Sequence, residues 1–115
     1  MPGRPVGKER PRLGKGRVYT PAKTRDYENT VAWAAKAAMG RRPVIDGALS
    51  LMISCYFKAK SSGYHVSKPD LDNCCKAILD GMEGIVFKND SQIARLILSK
   101  ENGLEDKVEA WVSPL

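Results

Sequence analysis

Between Lys68 and Gln92 the chain gathers carboxylates in a pattern that could do chemistry. Lys68-Pro69-Asp70-Leu71-Asp72-Asn73 leads into Lys76 and Asp80, and Lys88-Asn89-Asp90-Ser91-Gln92 follows after a short apolar segment. Carboxylates brought together repel unless a cation stands between them. Carboxylate oxygens suit a hard ion such as Mg²⁺. The chain as a whole is basic, with a net charge of +6. A Mg²⁺ site in a positively charged protein points to phosphodiester chemistry on nucleic acid.

The spacing says how these groups would meet. Two residues turn a helix by about 200°, so Asp70 and Asp72 share no helical face. Pro69 makes the chain before Asp70 extended and sets Asp70 at a helix entrance, from which its carboxylate can swing toward Asp72 in the first turn. Asp90, in a turn, approaches from elsewhere. Lys76, one turn after Asp72, points to the same place, where an ammonium would offset charge on a phosphate. The same spacing fits a plainer arrangement: Asp70 as an N-cap, Asp72 as a partner of the helix dipole, Asp72–Lys76–Asp80 as a surface ion-pair ladder and Asp90 as a turn residue. Spacing alone leaves both open.

The elements that must position these residues follow from periodicity. A helix ending near Met39 is predicted from a Thr20 cap and Pro21 at its first position, with Tyr27, Val31, Ala34, Ala35 and Ala38 on one stripe and Gly40 as its stop. Trp33 falls off that stripe, at the helix margin or toward a partner. Residues 48–57 alternate, with Leu49, Leu51, Ile53, Cys55 and Phe57 on one face, which predicts a strand. Residues 58–69 form a polar loop. A second helix spans about Leu71 to Glu83, its apolar stripe being Leu71, Cys74, Cys75, Ile78, Leu79 and Met82. Strands are predicted over Ile93–Ser99 and Val108–Val112, with Asn102-Gly103 in a loop between them. The order of elements implies an α+β domain of two layers, a small mixed sheet packed against two helices.

At 115 residues the chain is read as one domain, 1–115, with a basic arm over residues 1–20. Residues 1–25 hold eight basic residues against Glu9, and the remaining 90 carry a net charge of only −1. Composition allows a solvated tail or an arm that neutralises phosphates; anchors at Val18 and Tyr19 and the adjoining helix favour the arm. No apolar run approaches the roughly 20 residues that span a bilayer, and no secretory signal is visible, so no membrane association and a cytoplasmic location are expected. Cys55, Cys74 and Cys75 lack disulfide or zinc spacing and read as reduced core residues. His65 reads as a loop residue rather than a zinc ligand, and Gly14-Lys15-Gly16 lacks the spacing of a phosphate loop.

Taken together, Pro2-Gly3-Arg4-Pro5, Arg10-Pro11-Arg12, Arg17-Val18-Tyr19-Thr20-Pro21, Lys68-Pro69-Asp70-Leu71-Asp72-Asn73, Lys76, Asp80-Gly81 and Asn89-Asp90-Ser91-Gln92-Ile93 resemble the RusA-type Holliday junction resolvases, over nearly the whole chain. The resemblance implies a dimeric endodeoxyribonuclease of the kind found in phages and prophages, acting in recombination and repair. It would resolve four-way DNA junctions by paired symmetric nicks, with Mg²⁺ as cofactor and Mn²⁺ as a substitute. Asp70, Asp72 and Asp90 would be metal ligands and Lys76 the catalytic lysine. Asp80 falls at a further acidic position. Arg10, Arg12, Lys15, Arg17 and Lys68 would contact DNA. Trp33 and Trp111 are the candidate residues for a homodimer interface. In one respect the chain departs from the pattern: relatives usually carry an apolar strand before Pro-Gly-x-Pro, and its absence would leave a sheet edge unpaired or a dimer contact changed.

A non-catalytic DNA-binding relative is the alternative, although such a protein would be expected to have lost some of the aspartates or Lys76. A ribonuclease working without metal would usually want His with Glu or Arg, and a single histidine supports it thinly.

Overall fold

The computed structural model describes residues 1–8, 12–14, 17–19 and 22–115. Its elements are β1 (Arg12–Gly14), β2 (Arg17–Tyr19), α1 (Ala22–Met39), β3 (Leu49–Lys58), α2 (Leu71–Met82), a 3-10 turn (Asp90–Gln92), β4 (Ile93–Gly103) and β5 (Lys107–Pro114). The architecture is α+β: two helices and a three-stranded mixed sheet in the order β4-β3-β5.

β3 is central because its sequence alternates. Leu49, Leu51, Ile53, Cys55 and Phe57 are all buried, as the period of two requires, and they meet Tyr27 and Val31 of α1 and Cys74, Ile78 and Met82 of α2. β4 runs parallel to β3 and β5 antiparallel. The parallel pair needs a crossover, and α2 supplies it. That crossover carries most of the acidic cluster.

The helices pack closely at one point. A Cβ on Gly81 would stand 2.6 Å from Val31 Cβ and 2.8 Å from the Glu28 carbonyl oxygen, so only glycine lets α2 approach α1 here. Gly84, at φ +85°, takes a left-handed conformation that favours glycine and turns the chain after α2.

Several expectations are corrected. Asn102-Gly103 lies inside β4, paired with Phe57 and Lys58, because the parallel ladder continues to the end of β3. The arm contains an antiparallel pair, with Arg12 opposite Tyr19 and Gly14 opposite Arg17. The edge of β5 is partly paired: Met1 exchanges two 2.8 Å hydrogen bonds with Val108, and Gly3 N–H donates to Asp106 O. The alanine stripe of α1 is incompletely covered. Ala38 is exposed, and Ala34, Ala35 and Ala38 line an apolar groove of about 440 Å³ whose other wall includes Ala110 and Val112 of β5. Thr20 and Pro21, the expected start of the helix, lie outside the described residues. Trp33 is 76% exposed, on the side of α1 away from the core. Among the described residues no helix is long and apolar enough to cross a membrane.

Candidate active site

α2 displays Asp72, Lys76 and Asp80 at intervals of one turn, about 5.4 Å along its axis. Asp70 precedes it as the N-cap residue, with extended φ/ψ of −66° and 147° after the cis Lys68–Pro69 bond. Its side chain does not cap the helix. Instead it faces outward, 3.1 Å from Lys68 Nζ. Lys100 pins the incoming loop by donating to Ser67 O at 2.8 Å and Pro69 O at 2.7 Å. Asp72 is exposed and has no ion pair or hydrogen-bonding side-chain partner among the described residues.

Asp90 is placed by the residues around it. Asn89 Oδ1 accepts from Ser91 N–H, and Gln92 Oε1 accepts from the N–H groups of Lys88 and Asn89, a reciprocal cap. The Gln92 amide donates to Ile45 O at 2.8 Å and Gly47 O at 3.0 Å, which rivets the turn to the segment before β3. Glu83 accepts from Asp90 N–H at 3.2 Å.

The turn thereby meets α2 at Lys76, whose Nζ lies 3.1 Å from Asp80 Oδ1 and 3.5 Å from Asp90 Oδ2. The structure brings Lys76, Asp80 and Asp90 together, with Asp72 one turn before Lys76 and Asp70 at the helix entrance. Of the expected surface ladder only the Lys76–Asp80 rung forms. Among the described residues no three His, Cys, Asp or Glu side chains gather closely enough to hold a metal ion as a set. In kind, the donors suit Mg²⁺: Asp70, Asp72 and Asp90 offer hard oxygens, and the partners of Asp70 and Asp90 are exposed lysines that a divalent ion can displace.

Lys8 and Glu28 carried no signal in the sequence. Lys8 Nζ lies 3.0 Å from Glu28 Oε1 and also binds Asp80 Oδ2. Both lysines stay charged. The Asp80 hydrogen bond, opposed by burial, raises the Lys76 pKa. Burial lowers that of Lys8, but its bonds to Asp80 and Glu28 outweigh this and raise it. Burial pushes the Asp80 carboxyl up; the two lysines prevail and hold it below the usual carboxylate range. Asp80 therefore adds stability above that range, lost as pH falls through its lowered pKa.

Of the other sequence candidates, Arg12 and Arg17 lie in the hairpin strands, while Arg10 and Lys15 lie outside the described residues. His65 stacks on Phe57 with ring centroids 3.9 Å apart, and its Nε2–H donates to Lys68 O, so it supports the loop before Asp70. Cys55, Cys74 and Cys75 are free and buried. The apolar groove includes none of Asp70, Asp72, Lys76 and Asp90 in its lining.

The βαβ crossover thus carries an acid-rich exposed face, with Lys76 held between Asp80 and Asp90. The sequence model of the family described as Endodeoxyribonuclease RusA matches residues 2–112, and the chain belongs to that family of endodeoxyribonucleases. It is also similar to YqaN, an uncharacterized protein of Bacillus subtilis strain 168, at 29% identity over 96% of this chain and 90% of the relative.

Proposed function

We propose that the protein is a Holliday junction endonuclease that cuts four-way DNA by paired nicks, with Mg²⁺ held by Asp70, Asp72 and Asp90. The observation that carries the reading is the meeting of Lys76 with Asp90 across the chain, beside exposed aspartates, in a member of an endodeoxyribonuclease family. Bound there, Mg²⁺ would supply Lewis-acid stabilisation of phosphate charge and an activated water. The chain's own residues do the rest. In hydrolysis a water oxygen bonds to phosphorus as the bond to one deoxyribose oxygen breaks. Negative charge grows on the phosphate and leaving oxygens, and the Lys76 ammonium is positioned to offset it. Lys68, 86% exposed at the loop before Asp70, is placed to meet the backbone on the same side.

Arg10, Arg12, Lys15 and Arg17 bind phosphate in this reading. Changing all four to Ser should weaken binding to any DNA sequence and flatten its salt dependence, by about 0.9 in log–log slope for every phosphate left without its cation. Titrating junction DNA at several salt concentrations checks this, and an unchanged slope would return the arm to a solvated tail.

Paired nicking requires a homodimer, since a four-way junction presents two equivalent strands and productive resolution needs two matched cuts. One row across the sheet supports it: Ile97, Met52 and Trp111 are aligned neighbours on β4, β3 and β5, and are 56%, 39% and 48% exposed on the face away from the core. Two such faces stacked across a twofold axis would bury both rows. Met52→Asp should leave the core intact and turn the dimer into a monomer of 12.7 kDa, as read by mass in solution. A wild-type protein that is monomeric at micromolar concentration, and stays so on junction DNA, would contradict the dimer.

A further inference from the structure

We infer that Asp80 is a positioning residue for Lys76, and that Lys8 and Glu28 fix Asp80 in that task while joining the root of the basic arm to α2. The inference rests on the reading of Lys76 as the charged group at the scissile phosphate, and deepens it.

The two oxygens of Asp80 are divided. Oδ1 holds Lys76 at 3.1 Å, and Oδ2 is held by Lys8. A carboxylate with a single exposed partner would swing with it. Here the second oxygen is anchored, because Lys8 is itself fixed twice: its Nζ binds Glu28 at 3.0 Å, and its backbone N–H donates to Asn73 O at 2.9 Å. The side chains of Lys8, Glu28 and Asp80 are 22%, 21% and 17% exposed, against 53% for Lys76. The cluster is thus closed on the protein side and opens to solvent through the Lys76 ammonium. The Lys76–Asp90 contact, at 3.5 Å, is the longer one and can be exchanged for a phosphate oxygen, while Asp80 keeps its hold.

The position of Lys8 adds a second consequence. Gly7 lies flush on the entrance to α2, where a Cβ would come 2.7 Å from Pro69 Cβ and 3.3 Å from Asn73 Cβ. Lys8 shortly precedes Arg10, Arg12, Lys15 and Arg17 in the chain. The arm that meets DNA and the helix that bears the site therefore share one anchor. Close packing of α1 on α2 at Gly81 makes this possible, since it sets Glu28 beside Asp80.

The test is single-turnover cleavage of a pre-bound four-way junction by wild type, Asp80→Asn, Lys76→Ala and the double variant, with junction affinity measured alongside. Loss of positioning should slow Asp80→Asn by about 10²-fold, with affinity essentially unchanged. The double variant should be no slower than Lys76→Ala alone, because Asp80 acts only through Lys76. A double variant slowed by the full product of the two single effects would overturn the inference and leave the nuclease reading intact. A wild-type protein that cuts no junction would overturn both. Should Asp80→Asn fail to fold, Lys8→Met carries the same test: its effect should vanish in the Lys76→Ala background and be reversed by Lys8→Arg. Additive slowing there, or no rescue by Arg, overturns the inference equally.

Discussion

Asp72→Asn should abolish junction cleavage while leaving junction binding intact or tighter. Asparagine keeps the shape of the side chain and removes the charge that a hard cation needs. The folded protein should tolerate the change, because Asp72 is exposed in the first turn of α2 and engages no side chain among the described residues. Only its favourable interaction with the helix dipole disappears, typically less than about 1 kcal/mol. Removing a negative charge near the DNA backbone lowers repulsion, which is why binding should not suffer. A rate loss of about 10²-fold or more is expected from an impaired metal site. Cleavage in Mg²⁺ and gel-shift binding without it separate the two quantities. Full activity in this variant would remove Asp72 from the metal site.

Lys76→Ala should act on the rate alone. Loss of one electrostatic donor aimed at developing charge costs on the order of 3 kcal/mol, about 10²-fold in rate. Affinity should change little, because in the free protein Lys76 is engaged with Asp80 and Asp90 and contributes little net positive field. Single-turnover rates set against dissociation constants from the same preparation make the comparison. An equal fall in rate and affinity would reduce Lys76 to a phosphate contact.

Much of the fold is legible in the sequence because its signals are local. The strand over residues 48–57 is fixed by alternation that leaves Leu49 through Phe57 in the core, and α2 by a stripe of period near 3.6. The parallel pairing of β3 with β4 does not show in alternation, and neither does the extension of β4 through Asn102-Gly103: the turn chemistry of Asn-Gly is overridden by ladder hydrogen bonds continuing to Lys58. At the site, the Lys76–Asp80 pair follows from helical spacing. The Lys76–Asp90 meeting depends on Gln92 reaching Ile45 and Gly47, a tertiary contact. Lys8 and Glu28 escape sequence reasoning for the same reason: they lie 72 and 52 residues from Asp80, joined through the close approach of two helices. Gly81, a helix-weakening residue inside an otherwise regular stripe, is the one local hint of that approach.

A metal-dependent junction nuclease built on Asp70, Asp72, Lys76 and Asp90 should cut branched DNA only when Mg²⁺ is supplied. The most direct measurement incubates the protein with a labelled four-way junction and with a duplex of matching sequence, each with and without Mg²⁺. Cleavage of the junction at paired sites is expected in Mg²⁺, none in its absence, and little or no cutting of the duplex. An intact junction in Mg²⁺, bound by the protein but uncut, would contradict the claim and leave a DNA-binding relative of the family in its place.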